Sequence, residues 1–119
     1  SVNTPVQLAL PRLLALREAI RAPLMARLRG NRAVLERALR GSAATPLPAH
    51  GGWSAVVRVP REPGEEERVL RLMTRHGLRV HPGFFFDFPT EAFLVVSLLT
   101  PEEEFGRGAA LLAADADAP

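Results

Sequence analysis

Apolar residues recur at helical spacing from near the start of the chain to position 39. Leu16, Ile20, Leu24, Leu28, Leu35 and Leu39 share one face, and Asn31 is the polar exception in that stripe. Thr4-Pro5-Val6-Gln7 reads as a helix start, with Thr4 as the cap, Pro5 in the first position and Gln7 reaching back. Pro11 and Pro23 predict breaks or kinks. Two consecutive helices are therefore expected, a short one and then a long one, with Gly41 stopping the second.

Residues 41–52 have the composition of a linker or loop. Trp53 to Val59 alternates as a strand does, and Pro60 ends it. Glu65, Glu66 and Glu67 open a helix whose predicted inner face is Val69, Leu72, Met73 and His76, with Gly77 at its C-cap. Leu78 to Val80 predicts a short strand. Phe93 to Leu99 is apolar almost throughout and predicts a strand covered on both faces. Thr100-Pro101-Glu102-Glu103 begins a last helix with Phe105, Gly108, Ala109 and Leu112 inward, and residues 115–119 read as a frayed tail. The class is α+β: a small sheet of about three strands, helices packed on it, and a long N-terminal helix.

At 119 residues one domain is the default. No apolar run is long enough to suggest a membrane span, and the start lacks the basic region of a secretory signal, so a cytoplasmic protein is the simplest expectation. There is no Cys, which excludes disulfides and thiolate metal sites, and His50, His76 and His81 lack ligand spacing. All fifteen basic residues are Arg. Without a lysine, no side chain of this chain forms a Schiff base. Residues 1–50 hold eight Arg and two Glu, a balance of +6, and residues 51–119 hold seven Arg and eleven acids, a balance of −4. A basic half raises the reading of a nucleic-acid binder, but no aromatic residues interleave with these arginines to stack on bases. A stand-alone interaction or regulatory domain is the other alternative.

One stretch stands apart. HPGFFFDFP, residues 81–89, contains four of the six Phe, bracketed by Pro82, Gly83 and Pro89. It predicts a turn set by Pro82-Gly83, with some rings packed beneath and the Asp87 side chain bonded to nearby amides. His81 has no Ser, Cys or metal-ligand neighbour in this run and reads as structural. The two Glu triplets suit helix N-termini and need no catalytic role. No catalytic, cofactor-binding or metal-ligating set is expected within the chain itself.

In order, SVNTPVQLALPRLL, the Arg27 to Asn31 segment, HGGWSAVVRVP, GLRVHPGFFFDF, AFLVVSLL and the EEFGRG helix resemble the C-terminal part of class I/II aminotransferases, which are pyridoxal-phosphate-dependent and of fold type I. The most specific pieces are S-x-x-T-P-x-Q and G-[LV]-x-V-x-P-G-x-x-F. The resemblance implies a last large-domain segment at 1–16 and a C-terminal small domain at 17–114. It places the Schiff-base lysine and the pyridoxal phosphate contacts in the large domain, outside this chain, so the chain looks like a fragment that does not transaminate alone. Ser1, Asn3, Thr4, His81, Pro82, Gly83, Phe84 and Phe86 are expected at the rim of the substrate cleft. The partners implied are the large domain of the same chain and a second subunit in a homodimer, with neither nucleic acid nor membrane. In one respect the chain departs from the pattern. The family often has an arginine for the substrate carboxylate in R-[ILV]-S, and the matching position here is Val95 in Val95-Val96-Ser97.

Overall fold

The computed structural model describes residues 3–118. Two helices come first: α1 (Thr4–Ala15) and α2 (Arg17–Ala38). A short strand β1 (Thr45–Pro46) and a longer strand β2 (Ser54–Arg58) precede α3 (Glu65–His76). Strand β3 (His81–Pro82), a 3-10 turn at Gly83–Phe86, strand β4 (Phe93–Ser97) and α4 (Glu102–Asp117) complete the chain. The sheet is fully antiparallel in the order β1-β2-β4-β3. It has one strand more than the sequence suggests. The addition is β1, within the stretch whose Pro- and Gly-rich composition reads as a loop; Thr45 and Pro46 pair with Arg58 and Val57.

The alternation along β2 and β4 divides the sheet into two faces. Ala55, Val57, Leu94 and Val96 join Leu35 and Leu39 of α2, Leu72 of α3, and Phe105, Ala109 and Leu112 of α4 in one core. Leu35, Leu72, Leu94 and Leu112 are fully buried, each worth about 1.5–3 kcal/mol relative to exposure. Asn31 explains the polar break in the α2 stripe. It is fully buried, and its Nδ2 donates to the carbonyls of Leu98 at 2.9 Å and Thr100 at 2.8 Å, tying α2 to the β4–α4 connection.

Several boundaries differ from the sequence expectation. The cap of α1 is Asn3, one residue before Thr4, and its Oδ1 accepts from Val6 N at 3.1 Å. The chain breaks at Leu16, whose N–H turns back to Leu13 O, and both helices run through their prolines. Both prolines lie on exposed stretches of helix, so the carbonyls that lose a donor can reach water. α2 ends at Ala38, and Gly41 occupies the turn beyond it at φ +85°. The short strand lies at His81–Pro82 rather than 78–80, because these are the residues that pair with Val95 and Leu94. Strand β4 stops at Ser97.

The inner face of α3 is also rotated from the predicted one. Glu65, Arg68 and Leu72 are buried, whereas Met73 and His76 are exposed. Arg68 is completely buried. Its Nη1 meets Asp115 Oδ2 at 2.6 Å, and its Nη2 donates to Glu62 O at 2.9 Å. Arg71 Nε reaches the other Asp115 oxygen at 2.8 Å. This arrangement corrects the expected fraying at 115–117, since the helix runs to Asp117; Pro119 lies outside the described residues. An acid in the last turn of a helix opposes the dipole unless cations answer it. Here α3 supplies two guanidinium groups, and Asp117 Oδ1 accepts from Ala43 N at 2.7 Å.

Removing one partner of such a buried pair leaves a buried charge without its counterpart. Asp115→Ala should therefore lower unfolding free energy by about 3–5 kcal/mol in urea titration. Glu103→Ala, which breaks an exposed i,i+4 pair with Arg107, should change it by less than about 1 kcal/mol.

Candidate functional site

The sequence concentrates aromatic residues after Pro82, and the structure shows what holds them there. Glu65, in the first turn of α3, is only 3% exposed. Its Oε1 accepts from Phe93 N at 2.7 Å and its Oε2 from Phe84 N at 3.2 Å. One carboxylate thus fastens the start of the 3-10 turn to the start of β4. Gly83 lies in the same corner. A Cβ there would come 2.9 Å from Phe93 Cβ and 3.1 Å from both Phe93 O and Glu65 Oε1, so only glycine permits this approach.

The far side of the turn uses two left-handed residues. Asp87, at φ +57°, closes the 3-10 turn, and its backbone N–H donates to Phe84 O at 3.3 Å. Its side chain makes no hydrogen bond among the described residues, so the brace expected from Asp87 is supplied by Glu65 instead. Ala92, at φ +89°, is buried and held by Val59 N donating to its carbonyl at 2.9 Å. A non-glycine residue in that region stores about 1–3 kcal/mol of strain, which surrounding contacts must offset.

Held this way, Phe84, Phe85 and Phe86 all present at least half their surface to solvent. Phe84 and Phe85 meet edge to face with centroids 4.9 Å apart, and the His81 ring lies 6.2 Å from Phe85 and 6.1 Å from Phe86. Phe88 behaves differently: it is half-buried and stacks on Phe93 at 5.0 Å. This separates the one ring that packs beneath the turn from the three that form its surface.

The second face of the sheet adjoins these rings. Its register sets Val56, Val95 and His81 in one row, with Ser54 opposite Ser97 on one side and Arg58 opposite Phe93 on the other. Val95 is buried at the centre of this row. The centre is thus apolar, and the basic residues these paired rows contain are His81 opposite Val95 and Arg58 one row across on β2.

The structure brings His81, Pro82, Gly83, Phe84, Phe86 and Val95 together at the β3–β4 end of the sheet. It does not do so for Asn3 and Thr4, which begin α1; no hydrogen bond or ring contact among the described residues joins them to the turn. Ser1 lies outside the described residues. Sequence reasoning missed Glu65, reading it as one of three acids that suit a helix start. The available signal was the spacing of Glu65, Arg68 and Leu72, which puts all three on one helical face.

An antiparallel sheet with its helices on one side and an aromatic rim beside the other has the architecture of an aminotransferase small domain. No protein-family model matches the chain, and no curated protein sequence does. Among solved structures the chain is similar to YbdL from Escherichia coli, described as having a methionine aminotransferase function, with 27% identity and a TM-score of 0.72. That match covers 96% of this chain and 31% of that one. A probable N-succinyldiaminopimelate aminotransferase from Thermus thermophilus matches 74% of this chain at 26% identity and a TM-score of 0.65. This chain spans 23% of that one, so it corresponds to under a third of either aminotransferase.

Gly83→Ala must displace Phe93 or Glu65 and should cost about 1–3 kcal/mol. Glu65→Ala leaves two amides without an acceptor and should accelerate hydrogen exchange at Phe84 and Phe93 N–H well beyond the rest of β4. Unchanged exchange at both amides would show that the carboxylate does not hold the turn.

Proposed function

We propose that this chain is the C-terminal portion of a pyridoxal-phosphate-dependent class I/II aminotransferase, which in its intact form moves an amino group between an amino acid and a 2-oxo acid. The observation that supports this most is the match to YbdL over nearly the whole of this chain but under a third of that one. On this reading residues 1–16 end the large domain and residues 17–114 form the small domain; the break at Leu16 between α1 and α2 supports that division. The same reading includes a homodimer and a cytoplasmic location.

The donor set of this chain does not itself fit pyridoxal phosphate. It has no lysine, and the surface at 84–86 offers phenyl rings rather than phosphate donors. The cofactor contacts therefore belong to the remainder of the protein, and the chain alone does not transaminate. Its part is to close over the cleft and exclude water. His81, Pro82, Gly83, Phe84 and Phe86 form the rim, and the large domain covers the exposed rings and the apolar surface of α1. Ser1, Asn3 and Thr4 belong to the rim on the family likeness alone. With valine at position 95, no guanidinium stands at the centre of the sheet face, and the aromatic rim favours an amino acid with an apolar side chain.

The intact gene product should bind pyridoxal phosphate with a visible absorption band and convert amino acids in the presence of 2-oxo acids. A folded full-length protein that binds no cofactor would overturn this reading. In the active enzyme, Phe86→Ala should lower kcat/KM for amino acids with large apolar side chains by about tenfold, the equivalent of roughly 1.4 kcal/mol of lost apolar contact. Aspartate should be little affected.

A further inference from the structure

At the other end of β4, away from the Phe turn, a cavity of about 440 Å³ opens between α2 and the loop that leads into β2. Met25 and Leu28 of α2, together with Leu98, form its apolar floor. Trp53 forms one wall and is two-thirds exposed, although its backbone is fixed by Leu98 N donating to Trp53 O at 2.8 Å. An indole on a fixed backbone beside an apolar hollow, and left uncovered, is a surface for stacking a flat ring.

The polar side chains at this cavity are Arg29, Arg32, His50, Ser54 and the Trp53 indole N–H. Arg29 and His50 line it, and neither makes a hydrogen bond or ion pair among the described residues. Arg32 also lines it but is already committed: its Nε pairs with Glu36 at 3.0 Å and its Nη2 donates to Leu47 O at 3.0 Å, which ties α2 to the β1–β2 loop. No carboxylate of the described residues lines the cavity. Its volume suits a small organic ligand, and a largely apolar lining with a few convergent polar groups is the usual form of such sites. With one free guanidinium, the anion it suits is a single planar carboxylate taken by the fork of Arg29.

We propose that the cavity bounded by Arg29, His50 and Trp53 binds an aromatic monocarboxylate, with the ring on Trp53 over Leu28 and Leu98 and the carboxylate on Arg29. The site lies at the opposite end of β4 from the rim residues and does not rest on the aminotransferase reading. A protein that fails to bind pyridoxal phosphate can still be tested for it.

The test is calorimetric titration of the intact gene product with 2-naphthoate and with uncharged 2-naphthalenemethanol. Saturable binding of 2-naphthoate is expected, with the alcohol weaker by about tenfold or more. Arg29→Ala and Trp53→Ala should each raise the Kd for 2-naphthoate by about tenfold, and added salt should weaken binding. Both side chains are exposed, so the variants should fold, which circular dichroism checks. Phe85→Ala, at the other end of β4, should leave the Kd unchanged. No saturable binding, equal affinity for the alcohol, or a Kd that responds to Phe85→Ala and not to Arg29→Ala would each overturn the proposal.

Discussion

A fully buried arginine needs an acceptor for its charge, and much of this fold is arranged around the one given to Arg68. Its guanidinium cannot reach water, so it draws in the Asp115 carboxylate from α4 and the Glu62 carbonyl from the loop before α3. Arg71 joins the same carboxylate from the helix edge. The last turns of α4 are thereby held against α3 and the loop that leads into it. A buried ion pair is not in itself strong evidence for net stability, because desolvation opposes the attraction. Its effect here is geometric: it sets the rotation of α3 about its axis, and that rotation decides which other residues of the helix face inward.

Glu65 is one of them. It lies three residues before Arg68, on the same side of the helix, and so enters the corner where β4 begins. There it bonds the amides of Phe84 and Phe93, while Gly83 allows the two strands to approach. Three phenyl rings are consequently displayed outward on a braced turn, where a mobile loop would let them collapse onto the sheet. Asn31 does comparable work on the other side, fastening the connection between β4 and α4 to α2. These polar groups, bonded to specific partners through Arg68 Nη1 and Nη2, both Glu65 oxygens and Asn31 Nδ2, position the surfaces that the apolar core supports, while Arg68 Nε and Asn31 Oδ1 are buried without a hydrogen-bond partner among the described residues.

Much of the architecture was legible from pattern alone. The Glu triplet with Gly77 marked α3, Thr100-Pro101 marked the start of α4, and alternation marked β2. Period and capping chemistry are local, and the structure keeps these elements and the Gly77 C-cap, although α1 is capped by Asn3 and α4 begins after Pro101 without a side-chain cap. What misled the reading was also local. Pro11 and Pro23 looked like breaks, yet exposed helix tolerates them because solvent can satisfy the freed carbonyls. The acidic tail looked frayed because the cations that hold it belong to another helix. Met73 and His76 looked buried because an apolar stripe was sought where α3 in fact turns Glu65 and Arg68 inward.

The candidate site divides in the same way. The run from His81 to Phe88 identified itself by composition, and its likeness to aminotransferases was carried by short motifs readable in order. The sequence by itself thus determined the helices, the main strands and the aromatic segment, since these depend on residues close together in the chain. Only the tertiary structure decided that Phe88 packs on Phe93 while Phe84, Phe85 and Phe86 face out. Only it decided that Glu65 braces the turn, and that Val95 sits in one row with Val56 and His81. Each of these depends on a contact between residues far apart in sequence, and the rotation of a helix or the register of a strand must be set before such a contact exists.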